Sequence, residues 1–395
     1  MLELIYMKYI DRKIEEKIIK AAKTMPIIGI TGPRQSGKTT LARNLFREFL
    51  YVNLEFPDHR AFAEDDPREF LLQSKKMIID EVQQAPKLFS YIQGFVDEEK
   101  DRQYVLTGSN NFSLMEKISQ SLAGRIALFT VLPFALTELR KTFFNHHADA
   151  SFRGGYPRVL VDDNDPTVWY QGYIQTYLER DVRQMTSIHM MDRFYGFIKI
   201  LASRAGSVIN YAEFSKESGV SINTIRGWFS VLVASYIVYI LPPYFSNIKK
   251  RLVKAPKFYF YDTGLLSALL GIHDKEGIGT HILSGQIFEN FITSEMIKNE
   301  YIHHQSHRLF YYRDHDGLEV DLVRERGDRI DLFEIKKGAI YRKEFTKNMQ
   351  QLRNLFPKVA NTSVIYGGSQ TLRNGNINLI SWKDMDTLQD TIPKR

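Results

Sequence analysis

The chain has 395 residues, of which 44% are hydrophobic and 25% charged, the profile of a globular protein long enough for two or three domains. It contains no cysteine, which excludes a disulfide framework and a cysteine-based zinc site and suits a reducing cytoplasm. A formal charge of +7 is compatible with nucleic-acid binding and equally with a generally basic surface, so the positions of the charges must decide.

The N-terminal residues 1–23 interleave charged residues with isoleucine and tyrosine. This pattern predicts an amphipathic helix and not a signal peptide, because an uncharged apolar region is missing. The most apolar run, residues 231–245, contains Ser235 and ends in Pro242-Pro243, so it is too short and broken to span a bilayer. We therefore expect a cytoplasmic protein with no membrane partner.

The most specific motif lies between a predicted strand, residues 26–31, and a predicted helix, residues 40–46. It has the phosphate-binding pattern G-x-x-x-x-G-K-[ST], and its residues are Gly32, Pro33, Arg34, Gln35, Ser36, Gly37, Lys38, Thr39 and Thr40. Backbone N–H groups of this loop are expected to surround phosphate oxygens, with Lys38 reaching the β- and γ-phosphates and the Thr39 hydroxyl binding Mg²⁺. An ordinary glycine turn followed by a lysine is the alternative, and the flanking strand and helix disfavour it.

A later apolar strand, residues 77–81, ends in two acids, Asp80 and Glu81. Downstream of a phosphate loop, such a strand supplies the second half of a nucleotide triphosphatase site. We assign Asp80 to Mg²⁺ binding through water and Glu81 to activation of the attacking water. Alone the pattern is weak, because many strands end at a solvated acidic turn. Of the residues between the two motifs, 50–54 predict another strand, and the acidic stretch 64–67 predicts the start of a helix.

Residues 103–110 predict a third strand, which ends in small polar residues. Because parallel strands bring their carboxyl ends to one crevice, Thr107, Ser109 or Asn110 could orient the water or contact the γ-phosphate. The alternative is a strand-to-loop turn that glycine and asparagine permit. Arg125, just before a predicted strand, is a candidate arginine finger, acting in cis or from a neighbouring subunit of a homo-oligomer, and the alternative is a surface arginine.

Residues 143–152 contain His146 and His147 among small residues. We interpret this stretch as a solvated linker and not as a metal site, because no third ligand lies nearby in the sequence. Residues 167–193 then predict a long helix. Its charged residues, Arg180 among them, either pair along one helical face or sense the nucleotide.

Residues 193–262 predict a helix-turn-helix followed by a hairpin wing. The three predicted helices span residues 194–205, 211–218 and 222–234, with Gly219 at the turn and Ser221 capping the third helix. The two β-rich runs of the hairpin are residues 236–240 and 257–261.

Basic residues are placed in this module where DNA phosphates would be met. Between the two β-rich runs stand Lys249, Lys250, Arg251 and Lys254. On the third helix, Asn223, Thr224 and Arg226 could reach base edges. The alternative is a winged helix that serves protein contact or oligomerisation.

The C-terminal part contains acidic residues in the order of restriction-endonuclease-like folds, D…E-x-K. Glu289 lies on a predicted helix, and Asp321 lies on a predicted strand whose hairpin partner carries Glu334 and Lys336. Strand alternation puts Glu334 and Lys336 on one face, and Asp321 converges on it. The carboxylates would bind Mg²⁺, with Glu289 as a further ligand, and Lys336 would stabilise charge during phosphodiester cleavage. Alternatively, Lys336 neutralises Glu334 and no metal binds.

Six short motifs together resemble a widespread prokaryotic family of AAA+-class ATPases. They are G-P-R-Q-S-G-K-T at 32–39, I-D-E-V-Q at 79–83, L-T-G-S at 106–109, L-A-G-R at 122–125, G-G-Y-P at 154–157 and Y-L-E-R-D at 177–181. The resemblance covers essentially the whole chain. It implies an α/β ATPase core with a P-loop parallel sheet, a helical and winged-helix middle, and a C-terminal α/β restriction-endonuclease-like (PD-(D/E)xK) domain.

The predicted domains are an N-terminal helix (1–24), an AAA+-like ATPase domain (25–145), a helical connector (146–192), a winged helix-turn-helix domain (193–275) and a nuclease-like domain (276–395). The predicted function is an ATPase that binds ATP and Mg²⁺ and couples its nucleotide state to a module directed at DNA. The alternative is a non-nucleolytic, ATP-dependent switch or scaffold that acts through protein contacts.

Overall fold

A computed structural model of the protein describes residues 9–108, 121–178, 190–244, 255–303, 309–314, 317–356 and 358–388. The chain divides into two compact units. The first comprises Met1–Pro133, Ala234–Tyr236 and Tyr301–His304, and the second comprises Phe134–Val233, Ile237–Glu300 and Gln305–Arg395. The five predicted domains are therefore distributed over two units, and their separate boundaries stay a prediction.

The first unit is built on a five-stranded sheet with the order β2-β3-β4-β1-β5, in which every neighbouring pair is parallel. Its elements are α1 (Glu15–Ala22), β1 (Ile27–Thr31), α2 (Lys38–Leu45), β2 (Leu50–Asn53), α3 (Pro57–Asp65), α4 (Pro67–Leu72), β3 (Lys76–Asp80), α5 (Leu88–Glu98), β4 (Gln103–Thr107) and β5 (Ile126–Thr130). The predicted strands of this part of the chain are thus confirmed. Their carboxyl ends lie along one edge of the sheet.

Both faces of this sheet are buried, which explains the continuous apolar runs of its strands. Ile27 packs on one side with residues of α4 and α5, whereas Ile28 and Ile30 pack on the other side with residues of α1 and α2. Helix α4, which lies between β2 and β3 in the sequence, begins where expected. The Asp66 carboxylate caps it by accepting a hydrogen bond from the backbone N–H of Glu69 at 3.0 Å. The expectation for residues 64–67 is wrong in one respect, since the first two acids end α3.

The middle of the chain is helical. Its elements are α6 (His147–Arg153), α7 (Pro157–Leu160), α8 (Pro166–Tyr173), a π-helical turn (Ile174–Leu178), α9 (Met191–Ser203), α10 (Tyr211–Ser218), α11 (Ile222–Ala234), β6 (Val238–Leu241), β7 (Lys257–Phe260), α12 (Thr263–Leu269) and α13 (Lys275–Thr280). Each helix in the described part of the chain is too short or too polar to cross a membrane.

The interpretation of residues 143–152 as a solvated linker is wrong. Residues from His147 onward form α6, and the His147 ring packs edge-on against Phe288 at 4.8 Å and near Trp382 at 6.2 Å. Burial lowers the pKa of His147 to about 4. Aromatic partners distant in sequence, which local composition does not reveal, thus make this stretch part of a core.

The predicted three helices and two strands of the winged-helix region are present. Gly219 ends α10 with a left-handed φ of 64°, and the Ser221 hydroxyl accepts from the backbone N–H of Thr224 at 3.1 Å, as expected for a helix cap. An aromatic cluster that includes Phe197 and Trp228, with ring centroids 5.3 Å apart, packs α9 against α11. Strands β6 and β7 pair antiparallel.

The G-G-Y-P segment before α7 is held by buried hydrogen bonds. The Asp262 carboxylate accepts from the backbone N–H of Gly155 and from the Tyr170 hydroxyl, each at 2.7 Å. The Gly155 carbonyl in turn accepts from the N–H of Phe134 at 2.7 Å. A Cβ on Gly155 would lie 2.4 Å from the Phe134 carbonyl oxygen, so the second glycine of the motif leaves no space for a side chain.

The C-terminal part contains a long helix, α14 (Ser284–Ile302), and a six-stranded mixed sheet with the order β12-β13-β11-β10-β9-β8. The other elements are β8 (Leu309–Arg313), β9 (Glu319–Arg326), β10 (Arg329–Lys336), α15 (Glu344–Leu355), β11 (Val359–Tyr366), β12 (Leu372–Asn374) and β13 (Ile377–Ser381). Strands β9 and β10 pair antiparallel, which confirms the predicted hairpin, and β10 pairs in parallel with β11.

Candidate functional site

The predicted phosphate loop connects β1 to α2 with a backbone that requires glycine. Gly32 has a φ of 140° and Gly37 a φ of 95°, values that residues with a Cβ rarely adopt. A Cβ on Gly32 would also lie 2.1 Å from the carbonyl oxygen of Val131. The loop therefore leads from a buried strand directly to the N-terminus of α2, where backbone N–H groups and the helix dipole favour an anion.

Lys38, the first residue of α2, is buried within the loop. Its Nζ donates hydrogen bonds to the carbonyl oxygens of Gly32 at 3.1 Å and Pro33 at 2.7 Å. Burial lowers the pKa of Lys38 to about 8, although the carboxylates of Glu81 and Asp80 act in the opposite direction. The Ser36 hydroxyl is also buried, and it has no hydrogen-bond partner among the described residues. These groups are donors that phosphate oxygens would accept from.

At the carboxyl edge of the sheet, the Asp80 carboxylate accepts hydrogen bonds from hydroxyl groups of three different elements, α2, β2 and β4. Its Oδ2 accepts from the Thr39 hydroxyl at 2.8 Å and from the Tyr51 hydroxyl at 2.9 Å, and its Oδ1 accepts from the Thr107 hydroxyl. The two residues assigned to Mg²⁺, Thr39 and Asp80, are therefore in direct contact. Thr107 fixes the Asp80 carboxylate in this structure, whereas its assignment to the water or the γ-phosphate stays a prediction.

Tyr51 is a residue that the sequence analysis missed. It lies on β2, next to β3 in the sheet, and burial together with the nearby Asp80 carboxylate raises its pKa. The signal for it was the predicted strand at residues 50–54, since a parallel neighbour of β3 would carry its side chains to the same edge.

Glu81 follows β3 in a left-handed backbone conformation, with φ 55° and ψ 45°. Such a conformation is unfavourable for a residue with a Cβ and is often found at functional sites. The Gln83 side-chain amide donates a hydrogen bond to the Glu81 carboxylate. Glu81 is thus held beside Asp80 at the edge that carries the phosphate loop.

Arg125 forms a two-pronged ion pair with Asp97, with Nε–Oδ1 and Nη2–Oδ2 distances of 2.7 Å. The pair is partly exposed to solvent and links the residue before β5 to α5. The arginine-finger role therefore stays a prediction that requires this pair to open. Asn110 and Ser109 lie outside the described residues.

Tyr236 is a second residue that the sequence analysis missed. Its buried hydroxyl lies 3.2 Å from the Thr31 hydroxyl, at the last residue of β1 before the phosphate loop. Tyr236 also has a left-handed φ of 56°. The segment Ala234–Tyr236 belongs to the first unit, although α11 before it and β6 after it lie mainly in the second.

Four carboxylates and two lysines form a second cluster, which we call the acidic centre. Its members are Glu289 on α14, Glu319 and Asp321 on β9, Glu334 and Lys336 on β10, and Lys257 on β7. The side chains of Glu334 and Lys336 share one face, as predicted, with Oε1 and Nζ 2.5 Å apart. Asp321 converges on them, because its Oδ2 accepts from the backbone N–H of Ile335 at 2.7 Å.

Electrostatic coupling also links the members of the acidic centre. Burial, followed by the Asp321 charge, raises the pKa of both Glu289 and Glu334, and burial raises the pKa of Asp321 itself. In the described ranges, no group of three or more histidine, aspartate or glutamate side chains is arranged to hold a metal ion. The predicted residues therefore lie close together, while their assignment as metal ligands stays a prediction.

The residues predicted to face DNA are only partly described. Asn223 and Arg226 are exposed on α11, and Arg226 lies over the Tyr211 ring at 4.8 Å from its centroid. The four wing cations, Lys249, Lys250, Arg251 and Lys254, lie outside the described residues, as does the predicted nucleotide sensor Arg180.

Comparison with known families divides the chain into three matched regions. Residues 24–140 match the AAA domain, residues 145–276 match a domain of unknown function (DUF8612) and residues 284–385 match another domain of unknown function (DUF4143). Together with the parallel sheet and the phosphate loop, the AAA match defines the first unit as an AAA-type, P-loop ATPase-like domain. The matches to domains of unknown function identify neither a winged helix nor a nuclease, so both assignments stay predictions.

Two mycobacterial proteins are similar to most of the chain. Uncharacterized protein Rv2008c of Mycobacterium tuberculosis and Uncharacterized protein Mb2031c of Mycobacterium bovis are each 30% identical to it over 341 residues, which is 83% of this chain and 74% of theirs. The chain belongs to the family of these two proteins. Among solved structures, the Walker-type ATPase paby2304 of Pyrococcus abyssi aligns with a TM-score of 0.46 and 14% identity, over 66% of this chain and 96% of that one. A likeness of this size carries no functional argument.

Proposed function

We propose that the protein is an ATPase that binds ATP with Mg²⁺ in the phosphate loop of the first unit and hydrolyses it. The observation that carries the proposal is the contact between Thr39 and Asp80, 2.8 Å apart, beside the buried ammonium group of Lys38. A threonine hydroxyl and an aspartate are the pair with which phosphate-loop enzymes hold Mg²⁺.

The residues present fit both groups. The buried Ser36 hydroxyl, which no described residue pairs with, and the Lys38 ammonium group would donate to phosphate oxygens. Thr39 and Asp80 would hold the metal. When bound, Mg²⁺ neutralises phosphate charge during transfer. The hydroxyl groups of Tyr51 and Thr107 keep the Asp80 carboxylate in place.

Glu81 is the residue that we assign to the attacking water. A carboxylate next to the phosphate site can accept the proton that water loses, and Glu81 follows β3 directly in a left-handed backbone conformation. Roles for Asn110 and for Arg125, in cis or across a homo-oligomer, are part of the proposal.

The experiment is a comparison of two variants in which binding and turnover are measured separately. Lys38→Ala is expected to abolish ATP binding, because it removes the buried ammonium group that faces the phosphates. Glu81→Gln is expected to keep ATP binding and to lose hydrolysis by about 100-fold or more, as for removal of a general base. Binding is measured by isothermal titration calorimetry and turnover by phosphate release. Hydrolysis by Glu81→Gln at the parental rate would refute the assigned role.

We further propose that the nucleotide state controls a module directed at DNA. The supporting observations are the excess of positive charge, +7 overall, and the exposed Asn223 and Arg226 on α11. The alternative remains a switch that acts through protein contacts. ATP turnover measured with and without double-stranded DNA distinguishes the two, because only the first predicts stimulation or inhibition by DNA.

Metal-dependent nuclease activity at the acidic centre is the most specific part of the predicted function. Asp321, Glu334 and Lys336 lie close together, and the buried Glu334 Oε2 atom has no hydrogen-bond partner in the described ranges. The described side chains nevertheless do not present three ligands to one metal ion. The acidic centre does not fit a bound metal as it stands, and we derive no cleavage step from it.

A further inference from the structure

The acidic centre contains its own cations. Lys257 Nζ lies 2.5 Å from Glu319 Oε1 and 3.7 Å from Glu289 Oε1. Lys336 Nζ lies 2.5 Å from Glu334 Oε1. These two ammonium groups therefore contact three of the four carboxylates. Carboxylate oxygens are also the ligands that a divalent cation would need, so the lysines and a metal ion would compete for the same atoms.

Lys257 comes from outside the predicted nuclease motif. It is the first residue of β7, pairs with Leu241 of β6, and is only 5% exposed. Its ammonium group also lies 5.4 Å from the centroid of the Tyr311 ring. The β6–β7 hairpin, predicted to be the wing, thus inserts a buried positive charge among acids of α14 and β9.

The acidic centre contains four carboxyl groups and only two lysines. The two ammonium groups can balance at most two ionised carboxylates, and their contacts are with Glu319, Glu289 and Glu334. Within the described part of the chain, the buried Glu334 Oε2 atom has no hydrogen-bond partner, whereas buried oxygens of this kind are normally paired with a donor or a cation. The ion pairs of the described residues do not include Asp321, whose Oδ2 accepts from the backbone N–H of Ile335 and which contributes a further carboxylate to the cluster.

We propose that the ammonium group of Lys257 takes the place of a divalent cation in the acidic centre, and that removing it lets Mg²⁺ or Mn²⁺ bind there. Carboxylate oxygens are the ligands that these hard cations prefer, whereas a buried ammonium group in the same cluster repels them. The proposal is independent of ATP hydrolysis in the first unit.

The test is thermal unfolding of the full chain without nucleotide, in Mn²⁺ and in a chelator. Lys257→Met keeps an apolar stem of similar length and removes the charge. Its melting temperature is expected to rise by roughly 3–5 °C in Mn²⁺ at about ten times the dissociation constant, by mass action on a unit of this size. The parent and Lys275→Met, which removes an exposed lysine, are expected to show no such shift.

Two further variants separate metal binding from general destabilisation. Lys257→Met/Glu319→Gln removes both members of the 2.5 Å pair, so no unpaired carboxylate remains from it, and the Mn²⁺ shift is expected to persist. Lys257→Met/Glu334→Gln is expected to lose the shift. The proposal is overturned if the parent shows the same shift as Lys257→Met, if neither variant with Glu334 intact shows one, or if Glu334→Gln leaves it unchanged.

Discussion

Replacement of Lys38 by methionine is expected to stabilise the nucleotide-free protein at neutral pH, although it removes the residue that we propose to contact the nucleotide phosphates. Burial lowers the pKa of Lys38 from its usual 10.5 to about 8, which at pH 7 corresponds to roughly 3 kcal/mol of unfavourable free energy for holding the ammonium group. Methionine removes this term. It also removes the two hydrogen bonds to the carbonyl oxygens of Gly32 and Pro33, each worth about 1 kcal/mol.

The net expectation for Lys38→Met is therefore a gain of about 1–2 kcal/mol in the free energy of unfolding at pH 7. The sign changes at alkaline pH. The pKa of Lys38 is lower in the folded state than in the unfolded state, so the unfolded parent binds more protons between about pH 8 and 10.5. The free energy of unfolding of the parent therefore rises with pH through this interval. By pH 10 the parent, with a neutral Lys38 that keeps its hydrogen bonds, should be the more stable protein by about 1 kcal/mol.

The assay is urea unfolding of parent and variant at pH 7 and pH 10 without nucleotide, following the transition of the first unit. Comparison of the two proteins cancels titrations that they share. Lys100→Met, which removes an exposed lysine of the same unit, controls for net charge and should show no reversal. If Lys38→Met is less stable than the parent at pH 7, or if the difference does not change sign with pH, the burial argument is wrong.

Two other predictions concern packing and DNA binding. Gly155→Ala should lower the free energy of unfolding by about 3 kcal/mol or more, since its Cβ would lie 2.4 Å from the Phe134 carbonyl oxygen, whereas Gly172→Ala, at an open helical position, should change it by less than about 1 kcal/mol in thermal unfolding. Arg226→Glu should weaken duplex DNA binding and reduce the slope of log affinity against log salt by about 1, as measured by fluorescence anisotropy. An unchanged slope would assign α11 to protein contact.

The strands of the first unit could be predicted because they are buried on both faces and therefore read as short apolar runs. The turn at Gly219 and the cap at Ser221 were equally accessible, since their signals lie within four residues. The error at residues 143–152 has the opposite cause. His147 packs against Phe288 and Trp382, and no local pattern indicates partners so far along the chain.

The sequence by itself determined the phosphate loop, the Asp80-Glu81 pair and the shared face of Glu334 and Lys336, because each follows from the spacing of neighbouring residues. Only the tertiary structure decided which groups hold those residues. Tyr51 reaches Asp80 across 29 positions of sequence, Lys257 reaches Glu319 across 62, and Tyr236 reaches Thr31 across 205. Such partners are selected by strand pairing and by burial of charge, which act through space and leave no local pattern in the chain.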